Sequence, residues 1–249
     1  MSKRIALCLS GIVGGTGGRN GAGDVVDIQT IYNQYDKHIL SKNDVDVFVH
    51  SWSVDSEDIL TDLYKPKRKM FEPQVDFREI AKKNKHKNLD ASHIFYSRWN
   101  SIKRCVQLKI EYEEDNNFEY DMVMISRFDL LWFTDVIFDD YHSNYFWVSN
   151  WNENGPLKMG PYDKQSNAGT GYLDFWFFSN SVNIDKFSYM YDNLSNGKFF
   201  EVFPSRRLSG HVTSKQFANL LELDVRKTMY RGYDHEVYRR YNEYCGEKI

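Results

Sequence analysis

In the stretch YDMVMISRFDLLWF, residues 120–133, Arg127 and Asp129 interrupt an otherwise apolar run. Residues 121–126 read as a strand, so the pair stands at a strand's carboxyl end, where ligands of open α/β sheets bind. A carboxylate there can hold Mg²⁺ or Mn²⁺ bridging to a diphosphate. An arginine two residues earlier can contact phosphate or orient the carboxylate. The same two side chains can equally form a structural ion pair.

Asp174 interrupts YLDFWFFS in a similar way. A carboxylate partly desolvated by aromatic neighbours can act as a general base or hold a sugar hydroxyl, and it can also cap a turn. His50 ends a strand beside Trp52, and His211 opens a helix. Each histidine is either a satisfied polar residue or a ligand, and His211 with Asp129 would make a metal site. The segment GIVGGTGGRNGAGD, residues 11–24, lies between a strand and a helix, where backbone amides cradle phosphates. It matches neither G-x-G-x-x-G nor the P-loop pattern, which leaves either a plain turn or a loop offering Arg19 to a phosphate. No G-x-S-x-G or H-E-x-x-H occurs, so serine-hydrolase and zinc-protease chemistry drop away.

The elements that must position these residues follow from periodicity. Residues 4–9 form a buried strand, Ile28, Ile31, Tyr32, Tyr35 and Ile39 recur at helical spacing, and residues 44–50 form a second strand. Strand, helix, strand is a βαβ unit with a right-handed crossover. Residues 53–91 carry Pro66 and Pro73 and read as an irregular insertion with one short strand around 69–72. A long helix should begin at Ser92 as N-cap, with Phe95, Trp99, Ile102, Val106 and Ile110 on one stripe, and end near 115–117. Strands are expected at 121–126, 145–149, 172–179 and 225–230. Helices are expected after Ser181 as N-cap, with Ile184, Phe187, Tyr191 and Leu194 inward, and at 212–221. The long polar segment 150–171 has the length of a loop that is either functional or disordered.

The chain of 249 residues suits one α/β domain with a core large enough to need no disulfide or metal. Its formal net charge of −3 gives no global positive field toward nucleic acid or anionic membrane, although 65–69 and 82–87 are locally basic. Three cysteines, Cys8, Cys105 and Cys245, form no CxxC pair, which favours a reduced, cytoplasmic setting. The apolar stretch IALCLSGIV is too short to span a membrane and lacks a cleavage signature, so a soluble, untargeted protein is expected.

IALCLSG, DVDVFVHSW, YSRWNSIKRCVQLKIEYEE, YDMVMISRFDLLWF and DFWFFSNSVNIDKFSYMYDNL, in that order, resemble a group of nucleotide-sugar glycosyltransferases and related proteins of bacteria and phages. The resemblance covers roughly residues 4–225. It implies a GT-A-like, Rossmann-like sheet, mixed but mostly parallel and flanked by helices, in one glycosyltransferase-like domain. Its nucleotide-binding half would be about 1–135 and its acceptor half about 136–249.

It also implies a donor-binding set of Ser10, Gly11, Arg19, His50, Trp52, Arg127 and Asp129, with Arg127 and Asp174 catalytic and a divalent cation, Mn²⁺ or Mg²⁺, on Asp129 with His211. The family's Arg-x-Asp replaces the usual Asp-x-Asp and leaves a single acid for that cation. The activity implied is sugar transfer from a nucleoside diphosphate to an acceptor hydroxyl, on a surface glycan or on a hydroxymethylated base of phage DNA. A non-catalytic nucleotide- or glycan-binding protein of the same fold is the alternative.

Overall fold

The computed structural model describes residues 2–14, 25–151, 171–204 and 208–239. In chain order the elements begin with β1 (Arg4–Gly11), α1 (Ile28–His38), β2 (Asp44–Ser51), α2 (Glu57–Tyr64), β3 (Arg68–Phe71), α3 (Arg78–Lys83) and α4 (Leu89–Asn116). Next come β4 (Met122–Arg127), β5 (Leu130–Trp132), β6 (Phe146–Asn150), β7 (Leu173–Ser179), α5 (Ser181–Ser188), α6 (Met190–Ser195) and α7 (Lys198–Val202). The chain then forms α8 (Gly210–Leu220), β8 (Val225–Tyr230) and β9 (His235–Val237). No helix among the described residues is long and apolar enough to cross a membrane.

Seven strands form one sheet in the order β3-β2-β1-β4-β7-β6-β8, and β5 pairs with β9 in a separate two-stranded ribbon. Only β7 runs against its neighbours; β3, β2, β1 and β4 are mutually parallel, and β6 is parallel to β8. The mixed, mostly parallel sheet flanked by helices that the resemblance implies is therefore present. This direction pattern decides where chemistry can gather. The carboxyl ends of β1, β2, β4, β6 and β8 and the amino end of β7 all open on one edge.

Alternation along the strands builds two cores. Ile5, Leu7 and Leu9 of β1 face α1, α2 and the β5–β9 ribbon, while Ala6 and Cys8 face the layer of α3 to α8. On the first face the Tyr35 hydroxyl lies 2.8 Å from Ser126 Oγ and donates to the Arg127 carbonyl, anchoring α1 to the end of β4.

Several boundaries differ from the sequence reading, each for a local reason. The insertion 53–91 holds α2 and α3 besides β3, because Leu60, Tyr64 and Ala81 reach the cores and supply the burial that short helices need. Helix α4 starts at Leu89, capped by Asn88, whose Oδ1 accepts from the Ala91 amide at 3.0 Å; Ser92 instead donates to the Asn88 carbonyl. Asn180, not Ser181, caps α5, and the single stripe expected after it is split at Tyr189 into α5 and α6.

Ser181 is freed for a buried charge cluster. Lys109 is wholly buried, and its three N–H donors meet Glu113 Oε2 at 2.7 Å, Asp185 Oδ1 at 2.6 Å and Ser181 Oγ, locking α4 to α5. Removing the cation would strand two carboxylates, so Lys109→Met is expected to destabilise the fold by about 3–5 kcal/mol in urea unfolding at about pH 7. Burial raises the Asp185 carboxyl to about 6 although Lys109 opposes it. A folded-state value above the unfolded one contributes stability that is present at low pH and lost as pH rises through about 6. The deficit of Lys109→Met should therefore shrink on moving from about pH 7 to about pH 5.

Candidate functional site

Two ion-paired acids stand at the shared edge of the sheet. Arg127 ends β4, Phe128 turns its ring into the core, and Asp129 leads into β5. Across this gap Arg127 grips Asp129 with two parallel bonds, Nε to Oδ1 and Nη2 to Oδ2, both 2.7 Å. The Tyr238 amide donates to the Asp129 carbonyl at 2.9 Å, extending the β5–β9 pairing by one step. Arg239 follows and places Nη1 3.1 Å from Oδ2. Gly14, at φ +104°, passes so close that an added Cβ would lie 3.5 Å from the Asp129 Cβ.

Asp174 lies at the amino end of β7, brought to the same edge because β7 is antiparallel to β4 with Ser126 opposite Trp176. From α4, Arg98 donates through Nη2 to the Asp174 carbonyl and holds Nε 3.5 Å from Oδ2. From the start of α8, His211 sets Nδ1 2.9 Å from Asp174 Oδ1 and 3.1 Å from the Tyr172 carbonyl. Gly210 makes this approach possible, since a Cβ there would lie 2.1 Å from Asp174 Oδ2. Beside the acid, the Phe175 ring has the guanidinium carbons of Arg127 and Arg231 5.4 and 5.2 Å from its centre. Arg231 is itself paired with Glu236 at 3.0 Å.

Burial alone would raise both carboxyls. At Asp129 the charges of Arg127, Arg239 and Arg98 outweigh burial and hold the group below the usual carboxylate range. At Asp174 the charges of His211, Arg98 and Arg127 do the same, and the carboxyl is pulled far down. Burial tends to lower Arg127, but Asp129 more than compensates; at Arg98 burial wins and the value falls. Three guanidiniums thus face two carboxylates in one coupled set.

Exposure decides which sign a ligand meets. The side chains of Asp129 and Asp174 are 5% and 14% exposed, whereas Arg127, Arg98 and His211 are 21%, 22% and 24% exposed. The acids form the floor, and the guanidiniums of Arg127 and Arg98 with the His211 ring form the rim. Such a site attracts an anion with several oxygens, and a diphosphate suits guanidinium forks.

The sequence-expected residues divide into three groups. Arg127, Asp129, Asp174 and His211 stand at this edge, and Ser10, opposite both His50 and Arg127 in register, ends the row with Gly11. Gly11 takes φ +111° with open space where a Cβ would be, and its carbonyl accepts from the Trp52 amide and Ser51 Oγ. His50, expected in the donor-binding set, stands away from the solvent-facing edge. It is fully buried, with Nδ1 2.6 Å from Ser101 Oγ and Nε2 3.1 Å from Glu72 Oε1, so it braces β2 against α4 and offers no surface to a ligand. Trp52 packs edge-on against it, 4.6 Å between centroids, and is 6% exposed. Arg19, most of the glycine segment, most of 150–171 and Cys245 lie outside the described residues.

The expected pairing of Asp129 with His211 on a divalent cation does not fit the donor set. Both Asp129 oxygens are engaged by guanidiniums, so of the pair only His211 Nε2 is left with no partner among the described residues, and a single nitrogen does not hold a cation. Among the described residues no group of three or more His, Cys, Asp or Glu is arranged to hold a metal. Arg98 and Arg239 are the site residues that sequence reasoning passed over. Arg98 carried a signal: it is a charge inside the otherwise aromatic helical stretch FYSRWN.

No protein-family model and no curated protein sequence matches the chain. Among solved structures, one with a similar chain course is the "putative nucleotide-diphospho-sugar transferase" of Desulfovibrio desulfuricans G20. It shares 10% identity at a TM-score of 0.43, over 92% of this chain and 81% of that one. A likeness at that level concerns chain course and carries nothing about the chemistry of the site.

Gly210→Ala should push a methyl into the Asp174 carboxylate and cost about 1–3 kcal/mol in thermal unfolding. In an Asp174→Ala background the same substitution should cost much less, and the double-mutant cycle measures that difference.

Proposed function

We propose that the protein is a glycosyltransferase that moves a sugar from a nucleoside diphosphate to an acceptor hydroxyl. The observation that carries this reading is the rim of Arg127 and Arg98 over buried Asp129 and Asp174, set where the parallel strands end. Breaking the bond between the sugar and the diphosphate leaves charge on the departing phosphate oxygens. Fixed guanidiniums aimed at that charge stabilise the transition state without reorganising. Ser10 and Gly11, at the end of the adjacent strand, would line the nucleotide. Asp129 would aim Arg127 and Arg239, and Arg19 would add to the phosphate contacts. On this reading residues about 1–135 serve the donor and about 136–249 the acceptor.

Between the two acceptor classes, the charge around β3 favours a glycan over modified DNA. The basic run near β3 is already balanced by acids: Lys67 pairs with Asp46 at 3.2 Å, Lys69 with Glu57 at 3.0 Å, and Arg68 with Glu111 and Asp115. A phosphate backbone would find little uncompensated charge there.

The test is a panel of UDP-, GDP- and dTDP-sugars, with nucleoside-diphosphate release measured in EDTA and in Mn²⁺ for the native chain and for Arg127→Gln. At least one donor should turn over in EDTA, and the substitution should lower kcat/KM by about 10²–10³-fold. Binding of a donor without any turnover would favour the non-catalytic reading. If no donor bound, or if Arg127→Gln behaved as the native chain, the assignment would fall.

A further inference from the structure

We infer that His211 is the catalytic base that activates the acceptor hydroxyl and that Asp174 is its positioning residue; this rests on the transferase reading. The arrangement is built from β7 and α8. Nδ1 of His211 has two oxygens within reach, the Asp174 carboxylate at 2.9 Å and the Tyr172 carbonyl at 3.1 Å, against the Asp174 amide, whose N–H is directed at Nδ1 from 3.2 Å. The oxygens are nearer and one bears a full charge, so the proton resides on Nδ1. Nε2 is then left with its lone pair. Among the described residues Nε2 has no hydrogen-bond partner, and the side chain is 24% exposed.

Two further contacts hold the ring. Trp151, at the end of β6, meets it edge-on at 4.8 Å between centroids. Gly171 lets the chain entering β7 approach the His211 backbone so closely that a Cβ there would lie 2.5 Å from the His211 carbonyl. Arg98 keeps Asp174 ionised and in place from the other side. Asp174 turns Oδ1 to His211 and Oδ2 to Arg98, so both its oxygens are committed and it positions the base rather than taking the proton itself. Its charge instead steadies the imidazolium that forms once His211 takes a proton.

The step balances as a single displacement. The acceptor O–H proton passes to His211 Nε2 while the oxygen bonds to the anomeric carbon. The bond from that carbon to the diphosphate breaks, and its electron pair leaves with the diphosphate toward Arg127 and Arg98. One displacement inverts the anomeric centre.

The experiment uses the full chain, a nucleotide sugar that the native protein consumes, and water as the acceptor. His211→Gln should bind the matching nucleoside diphosphate as the native chain does, by thermal shift, and release it about 10²–10⁴-fold more slowly. His211→Ala should regain part of that rate with added imidazole, and the sugar released by the native protein should carry the inverted configuration. Release within about threefold of native in His211→Gln, or retained configuration, would overturn the assignment while leaving the transferase reading intact. A native chain that binds no nucleoside diphosphate would overturn both. If His211→Gln does not fold, Asp174→Asn reads the same claim, with binding kept and release slowed.

Discussion

Everything at the working edge depends on keeping two carboxylates ionised where water hardly reaches them. An isolated buried carboxylate costs several kcal/mol, and this fold meets the cost with guanidiniums carried by separate elements. Arg127 comes from the end of β4, Arg239 from beyond β9, and Arg98 from the middle of α4. The ion pairs therefore join the sheet, the small ribbon and the long helix at one place. In turn the carboxylates fix the directions of the guanidiniums, and the cations end up facing outward. A structural ion pair and a ligand site are usually weighed as alternatives; on the proposed reading one arrangement at Arg127 and Asp129 serves both.

The support beneath that edge is equally charged. Lys109 ties α4 to α5 through three acceptors, and His50 joins β2 to α4 through Ser101 and Glu72. Helix α4 thus carries Arg98 on a rod pinned to both the sheet and the neighbouring helix. A rod so held fixes the direction of the charged side chain it carries, as the proposed transfer needs. Together with the Arg127 fork, it gives the site directional positive charge of the kind that metal-dependent enzymes obtain from a cation.

Much of the architecture was legible because buried parallel strands declare themselves as apolar runs. Residues 4–9 and 44–50 fall within β1 and β2, and the stripe from Phe95 to Ile110 lies in α4. What escaped notice was decided by tertiary contact. Strands β5 and β9 span three residues each, too few for alternation to show, yet their pairing delivers Arg239 to Asp129. Asn88 and Ser92 compete as caps with similar chemistry, and only the packing of the first helical turn chooses between them. His211 could be read as a ligand or as a satisfied polar group from sequence. Its pairing with Asp174 depends on β7 being antiparallel, which no local pattern encodes. The aromatic surroundings did mark Arg127, Asp129 and Asp174 as charges needing partners, and the partners are what the fold added.

The central claim is that guanidiniums, rather than an acid-bound cation, receive the diphosphate. A crystal structure with a nucleoside diphosphate bound in EDTA tests it most directly. The account predicts phosphate oxygens within hydrogen-bonding distance of Arg127 and Arg98, with Asp129 still held by Arg127 and Arg239. A diphosphate seated away from this edge, or one that binds only when Mn²⁺ displaces Arg127 from Asp129, would contradict it.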